Sequence, residues 1–195
     1  DMKAVSEARL ALASKSSQAE NLLEHVPSAW QNDPGLLFER LRWRRKNNLD
    51  DEAESILRHP PENLGNANAW WDEREIIIRR LMQKHDYDAA YDLAAHHGQT
   101  EPKTFIQAEF LAGWIALRFL NDADKAREHF QVLYDKAATP MSRSRGAYWL
   151  GRTAEAANDT NAADQYFVTA ATFNMTFYGQ LAIARLDQKP MVQAT

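Results

Sequence analysis

Residues 147–171 read AYWLGRTAEAANDTNAADQYFVTAA, a pattern of two helices with Asp159 placed to cap the second. In that second helix a small residue, Ala163, is followed by Phe167 at i+4 and Ala170 at i+7, so all three share one face. A small leading residue lets a neighbouring helix come close, and the two that follow give it a stripe to cover.

The same spacing recurs upstream as Ala19-Leu23-Val26, Ala53-Leu57-Pro60, Ala89-Leu93-His96 and Ala126-Phe130-Leu133. Subtraction of the leading positions gives intervals of 34, 36, 37 and 37, the length of a helix-turn-helix unit of tetratricopeptide size. One such unit cannot bury its own apolar face, so the units must stack. The expected fold is all-α, a right-handed superhelix of stacked helical hairpins. Residues 1–187 form one domain of about five hairpins in this reading, and 188–195 an exit linker or tail.

Helix boundaries support the frame. Ser17 with Glu20 makes a candidate capping box, and Asp50, Asp86, Asp122 and Asp159 each precede a helical run. Pro60-Pro61, Gly98 and Pro140 follow the second helices as stops. First helices are expected around 36–46, 70–83, 105–120 and 143–157. The β-branched run Ile76-Ile77-Ile78 sits inside a helical pattern and is not read as a strand.

Composition bounds the function. Apolar residues make up 45% and charged residues 26%, the balance of a folded chain. A net charge of −4 gives no general attraction to nucleic acid, and no run reaches the length of a membrane span. With no cysteine there is neither a disulfide nor a thiolate metal site. The opening Asp1-Met2-Lys3-Ala4 falls in mid-pattern, as in an excised fragment or mature segment.

No constellation of side chains reads as catalytic, metal-binding or cofactor-binding. The histidines at 25, 59, 85, 96, 97 and 129 lack the i, i+4 pairing of a helical zinc site and are read as surface or helix-end residues. Asp72-Glu73 and Asp50-Asp51-Glu52 resemble a glycosidase carboxylate pair only superficially, since capping of predicted helix N-termini explains them. The basic run Arg40, Arg42, Arg44, Arg45 and Lys46 is a binding candidate set against a solvated helix face. The tryptophans at 30, 43, 70, 71, 114 and 149 are read as inter-helix packing rather than sugar platforms, and Gly179 as a close helix approach or a bend.

One resemblance goes beyond the repeat. The string Tyr148 to Ala156, followed by Thr176-Phe177-Tyr178-Gly179-Gln180-Leu181-Ala182, resembles the soluble lytic murein transglycosylases, as do Ala69-Trp70-Trp71, Asp86 to Ala94 and Glu109 to Leu120. The resemblance covers roughly Trp70 to Leu186, with the earlier residues joined to it only by the repeat. It implies a non-catalytic superhelical domain, with periplasmic location, no cofactor and no metal. The parent enzyme would cleave the β-1,4 bond between N-acetylmuramic acid and N-acetylglucosamine of peptidoglycan, leaving a 1,6-anhydro sugar. The implied partners are peptidoglycan, the enzyme's own C-terminal catalytic domain and cell-wall proteins. In that family the catalytic carboxyl stands in a Glu-Ser motif followed by Gly-Leu-Met-Gln. Glu54-Ser55 lacks that sequel and lies within a repeat helix, so no catalytic residue is assigned. Arg42, Arg45, Lys46, Tyr178 and Gln180 are the candidate contacts to glycan or to an adjoining domain. The alternative is a free-standing tetratricopeptide-like scaffold for protein partners.

Overall fold

The structure, a computed structural model, describes residues 2–187; the expected exit linker lies outside the described residues. Among the described residues the chain is all-α, with no strand. It divides into two compact units, Asp1–Gln99 and Thr100–Thr195.

The first unit holds α1 (Met2–Ala13), α2 (Ala19–Glu24), a short 3-10 turn (Ser28–Trp30), α3 (Pro34–Lys46), α4 (Asp50–Arg58), α5 (Ala67–Gln83) and α6 (Tyr87–Ala95). The second holds α7 (Pro102–Arg118), α8 (Ala123–Lys136), α9 (Pro140–Ala156), α10 (Thr160–Ala171) and α11 (Phe177–Asp187). Within each unit, helices pack in sequence order: α1 on α2 and α3, α3 on α4, and α5 on α6 in the first; α7 on α8, α8 on α9, α9 on α10 and α10 on α11 in the second. Ile76, Ile77 and Ile78 all lie inside α5, with Ile77 and Ile78 buried.

Each hairpin turns in the same way. Lys15, Asn48, His85, Asn121 and Asn158 all have φ between 55° and 62°, the left-handed conformation that reverses the chain after a helix. Four of these turns are closed by a backbone N–H reaching back five residues: Ser16 to Ala11 (2.9 Å), Leu49 to Arg44 (2.9 Å), Asp86 to Leu81 (3.0 Å) and Asp159 to Ala154 (2.9 Å). In the last three hairpins the next residue is an aspartate that caps the following helix. Asp86 accepts from Ala89 N–H (3.2 Å), Asp122 from Lys125 N–H (2.9 Å) and Asp159 from Ala162 N–H (3.0 Å). These hydrogen bonds satisfy donors that a helix start leaves unpaired.

Two expected caps do not form. In the α3–α4 turn Leu49 separates Asn48 from Asp50, so Asp50 becomes the first helical residue and its carboxylate receives Arg80 instead. At α2 the capping position is Gln18, with no side-chain bond; Ser16, not Ser17, accepts from Gln18 N–H at 3.2 Å. Pro140 follows α8 but opens α9 at its first position, where a missing N–H costs nothing, with Thr139 as cap.

The small-residue stripe is buried nearly as read: Ala19, Ala53, Ala126, Ala163, Leu57, Phe130, Leu133, Phe167 and Ala170 are all within the core. In the third hairpin Leu93 is buried as read, but Ala89 is only half-buried and His96 exposed, whereas the neighbouring Ala90, Ala94 and His97 are enclosed. Opposite two of the phenylalanines stand glycines. A Cβ on Gly113 would lie 2.8 Å from the Phe130 ring, and one on Gly151 would lie 2.7 Å from the Phe167 ring. Small residues on the first helix of a hairpin thus receive the aromatic knob of the second.

Candidate functional site

The second unit carries a groove of about 430 Å³ where the start of α7, the end of α8 and the start of α9 meet the side of α11. That volume lies in the ordinary range for ligand clefts, roughly 300–1,000 Å³. Its lining includes the apolar residues Ile106, Pro102, Ala138 and Met141 and the polar residues Lys103, Lys136, Arg145, Gln107, Thr139 and Ser142. Three cations line it and no carboxylate does.

Helices usually place acids in the first turn, where the backbone dipole is positive; α7 and α9 have none there, and α7 places Lys103 there, with Glu101 just before it at the N-cap. Lys136 lies in the last turn of α8, which favours a cation, and the chain then crosses to α9.

Arg145 is the most constrained of the three. Its guanidinium lies over the Phe110 ring, 4.5 Å from the centroid, and burial lowers its pKa, partly offset by Tyr178. Among the described residues no carboxylate pairs with it, and its Nε is buried without a hydrogen-bond partner. Phe110 is held in turn by Phe130 (6.2 Å) and Trp149 (5.8 Å).

Tyr178 enters the groove from α11, and its position depends on a seam built by the Thr176 to Ala182 string. Thr176 Oγ1 accepts from Gly179 N–H at 3.1 Å, which makes it the cap of α11, and stands 2.8 Å from Ser144 Oγ on α9. Ser144 Oγ donates to Met141 O at 2.9 Å, so the hydroxyl chain joins α11 to the first turns of α9. Gly179 marks a close approach, not a bend: a Cβ there would lie 2.6 Å from the Phe173 carbonyl carbon and closer still to its oxygen. Gln180 is not in the groove; its Nε2 donates to the Asn174 carbonyl.

The basic run of the first unit is largely engaged within the protein. Glu73, 6% exposed, accepts from Arg45 through both oxygens, with Nη2 at 3.0 Å, and Arg42 stands 3.6 Å away. Glu73 is therefore not the cap it was read as; Asn66 caps α5, which starts three residues earlier than expected. Arg44 pairs with Glu52, and Arg80 with Asp50. Lys46 is exposed. Arg42, Arg45 and Lys46 lie in the first unit, and Tyr178 and Gln180 in the second.

Other titratable groups have structural partners. Arg74, 3% exposed, donates from Nη1 to Leu93 O (3.0 Å) and from Nη2 to Leu57 O (2.8 Å), closing the ends of α6 and α4 together. Burial pushes its pKa down to about 10, with Asp92 opposing. Glu54 accepts from Arg58, which also reaches Asp92. His25, His59 and His96 place Nδ1 on the carbonyl four residues back, as helix-end residues do. Two histidines depart from the surface reading: His97 is buried edge-on to Trp71, and His129 Nδ1 lies 2.7 Å from Glu109 Oε2. Among the described residues no group of His, Asp and Glu side chains is placed to hold a metal. The tryptophans pack as read, except Trp30, which is 40% exposed.

Sequence reasoning found Tyr178 and missed Lys103, Lys136 and Arg145. The available signal was a pair of helix starts, Pro102 and Pro140, without an acidic residue in the turn that follows. Fold and groove together define an all-α helical-hairpin protein with a cationic cleft. Comparisons with protein-family profiles, curated proteins and solved structures found no match.

Proposed function

We propose that this chain is the non-catalytic helical domain of a soluble lytic murein transglycosylase, acting in the periplasm to position peptidoglycan and the enzyme's catalytic domain. The observation that carries the reading is the Thr176 to Ala182 string. Its residues build a tight seam at the start of α11 and bring Tyr178 to the rim of a ligand-sized groove. Glu54 accepts from Arg58 within α4, an ordinary i, i+4 helix pair, which is compatible with the reading.

The test uses purified murein sacculi. The chain is expected to co-sediment with them and to release no 1,6-anhydro muropeptide. Release of the anhydro sugar would overturn the non-catalytic assignment. A parent reading frame with no lysozyme-like segment bearing Glu-Ser and Gly-Leu-Met-Gln would overturn the family assignment. The second reading, a scaffold that holds protein segments, is favoured by the apolar residues Ile106, Pro102, Ala138 and Met141 that line the groove.

A further inference from the structure

We propose that the groove of the second unit binds an acidic peptide in extended form, its carboxylates meeting Lys103, Lys136 and Arg145 while an aliphatic side chain lies against Ile106 and Met141.

Charge complementarity favours an anionic ligand. Three cations from three helices line one cleft without a carboxylate, on a chain whose net charge is −4. Several arginines of this protein are met by acids: Arg45 by Glu73, Arg58 by Glu54, Arg80 by Asp50 and Arg185 by Glu155. Arg145 has no acidic partner among the described residues; its guanidinium carbon stands 4.5 Å from the Phe110 ring centroid, and its Nε is buried without a hydrogen-bond partner. A planar guanidinium suits the two oxygens of a carboxylate.

The mixed composition of the lining favours a peptide over a compact anion. A cleft for a compact anion such as phosphate is polar throughout, with donors converging on one point. Here the cations come from separate elements and share the cleft with Ile106, Pro102 and Met141. Met141 is 68% exposed, a flexible apolar side chain available to cover a ligand. A chain alternating acidic and aliphatic residues meets both requirements, since an extended strand sends successive side chains to opposite sides.

The experiment follows proton–nitrogen correlation spectra of the whole chain during titration with a short N-acetylated peptide of alternating glutamate and leucine. Resonances of Ile106, Ser142 and Tyr178 are expected to shift, and raising salt from about 0.05 M to about 0.5 M should weaken binding. The same peptide with glutamine for glutamate should bind at least about tenfold more weakly, as should the double variant Lys103→Gln/Lys136→Gln, whose two sites are exposed and carry no packing role. Arg145→Gln is the second variant, with its fold checked by the same spectra. Equal binding of the glutamine peptide, or unchanged affinity of the double variant, would overturn the proposal. So would inorganic phosphate that shifts the same resonances and displaces the peptide at equal concentration, since the site would then be one for a compact anion. Failure to bind murein bears on the preceding proposal alone, because no wall component enters this titration.

Discussion

Gly179→Ala gives a test whose sign separates local preference from tertiary packing. In an unconstrained helix the change gains about 1 kcal/mol, because alanine loses less backbone freedom. The structure demands the opposite. A methyl carbon at this position would stand 2.6 Å from the carbonyl carbon of Phe173, where ordinary contact begins near 3.5 Å. The obstacle is backbone, so no rotamer change removes it, and α11 must move by about 1 Å. That movement stretches the 3.1 Å bond from Gly179 N–H to Thr176 Oγ1 out of hydrogen-bond range, at about 1 kcal/mol for a lost cap. Overpacking adds about 1–3 kcal/mol. Set against the helix gain, the net loss is about 2 kcal/mol. Urea denaturation measures the total, and hydrogen exchange by mass spectrometry should show loss of protection concentrated in 172–187. A variant as stable as the parent, with unchanged exchange in that segment, would show that the contact does not require glycine.

The other glycines facing aromatic rings should follow the same rule: Gly113→Ala and Gly151→Ala each lose about 1–3 kcal/mol in urea melts, and pairing them with Phe130→Leu or Phe167→Leu should be less damaging than the summed single changes. Arg74→Met leaves two buried helix-end carbonyls without a donor and should cost about 3 kcal/mol, a figure refuted by a loss below about 1 kcal/mol. Lys15→Gly removes the penalty of a left-handed non-glycine residue at an exposed turn, so a gain of about 0.5 kcal/mol is expected after the entropy of glycine is counted. Asp122 is held below its ordinary pKa of 3.8 chiefly by the Lys125 backbone N–H, so its charged form favours the folded state. That contribution is present above the unfolded value and disappears as pH falls through the folded one. The stability advantage of the parent over Asp122→Asn, measured by thermal melts, should therefore narrow on acidification below about pH 5.

The fold was legible because stacking hairpins write their contacts at fixed spacing. Ala126, Phe130 and Leu133 are buried as their period demands, and Ala163, Phe167 and Ala170 repeat them. Legibility failed where side-chain chemistry overrode the period. In the third hairpin Leu93 is buried as its period demands, yet of the adjacent Ala89 and Ala90 packing buries the second, and His97 rather than His96 enters the core beside Trp71. Asp50 was misread because a cap depends on its distance from the left-handed residue, and Leu49 adds one position. The most regular mark of the repeat is conformational, with Asn48, Asn121 and Asn158 sharing one backbone geometry with Lys15 and His85. Residue type alone hides that kinship.

The candidate site was half legible for a related reason. Tyr178 belongs to a contiguous string, which sequence can display, whereas Lys103, Lys136 and Arg145 converge from three helices. A run such as Arg40 to Lys46 draws attention by density, yet density is weak evidence of an open binding face. The first unit answers Arg44, Arg45 and Arg80 with Glu52, Glu73 and Asp50 drawn from other helices. Sparse cations are the more informative ones when their surroundings supply no acid. Arg145 stands near only one other cation in sequence, Arg143, sits over an aromatic ring, and lines a cleft bounded by two helices whose first turns carry no acid. Desolvation makes an unanswered charge costly, so a half-buried cation without a carboxylate is a position where the protein gains most from an incoming anion.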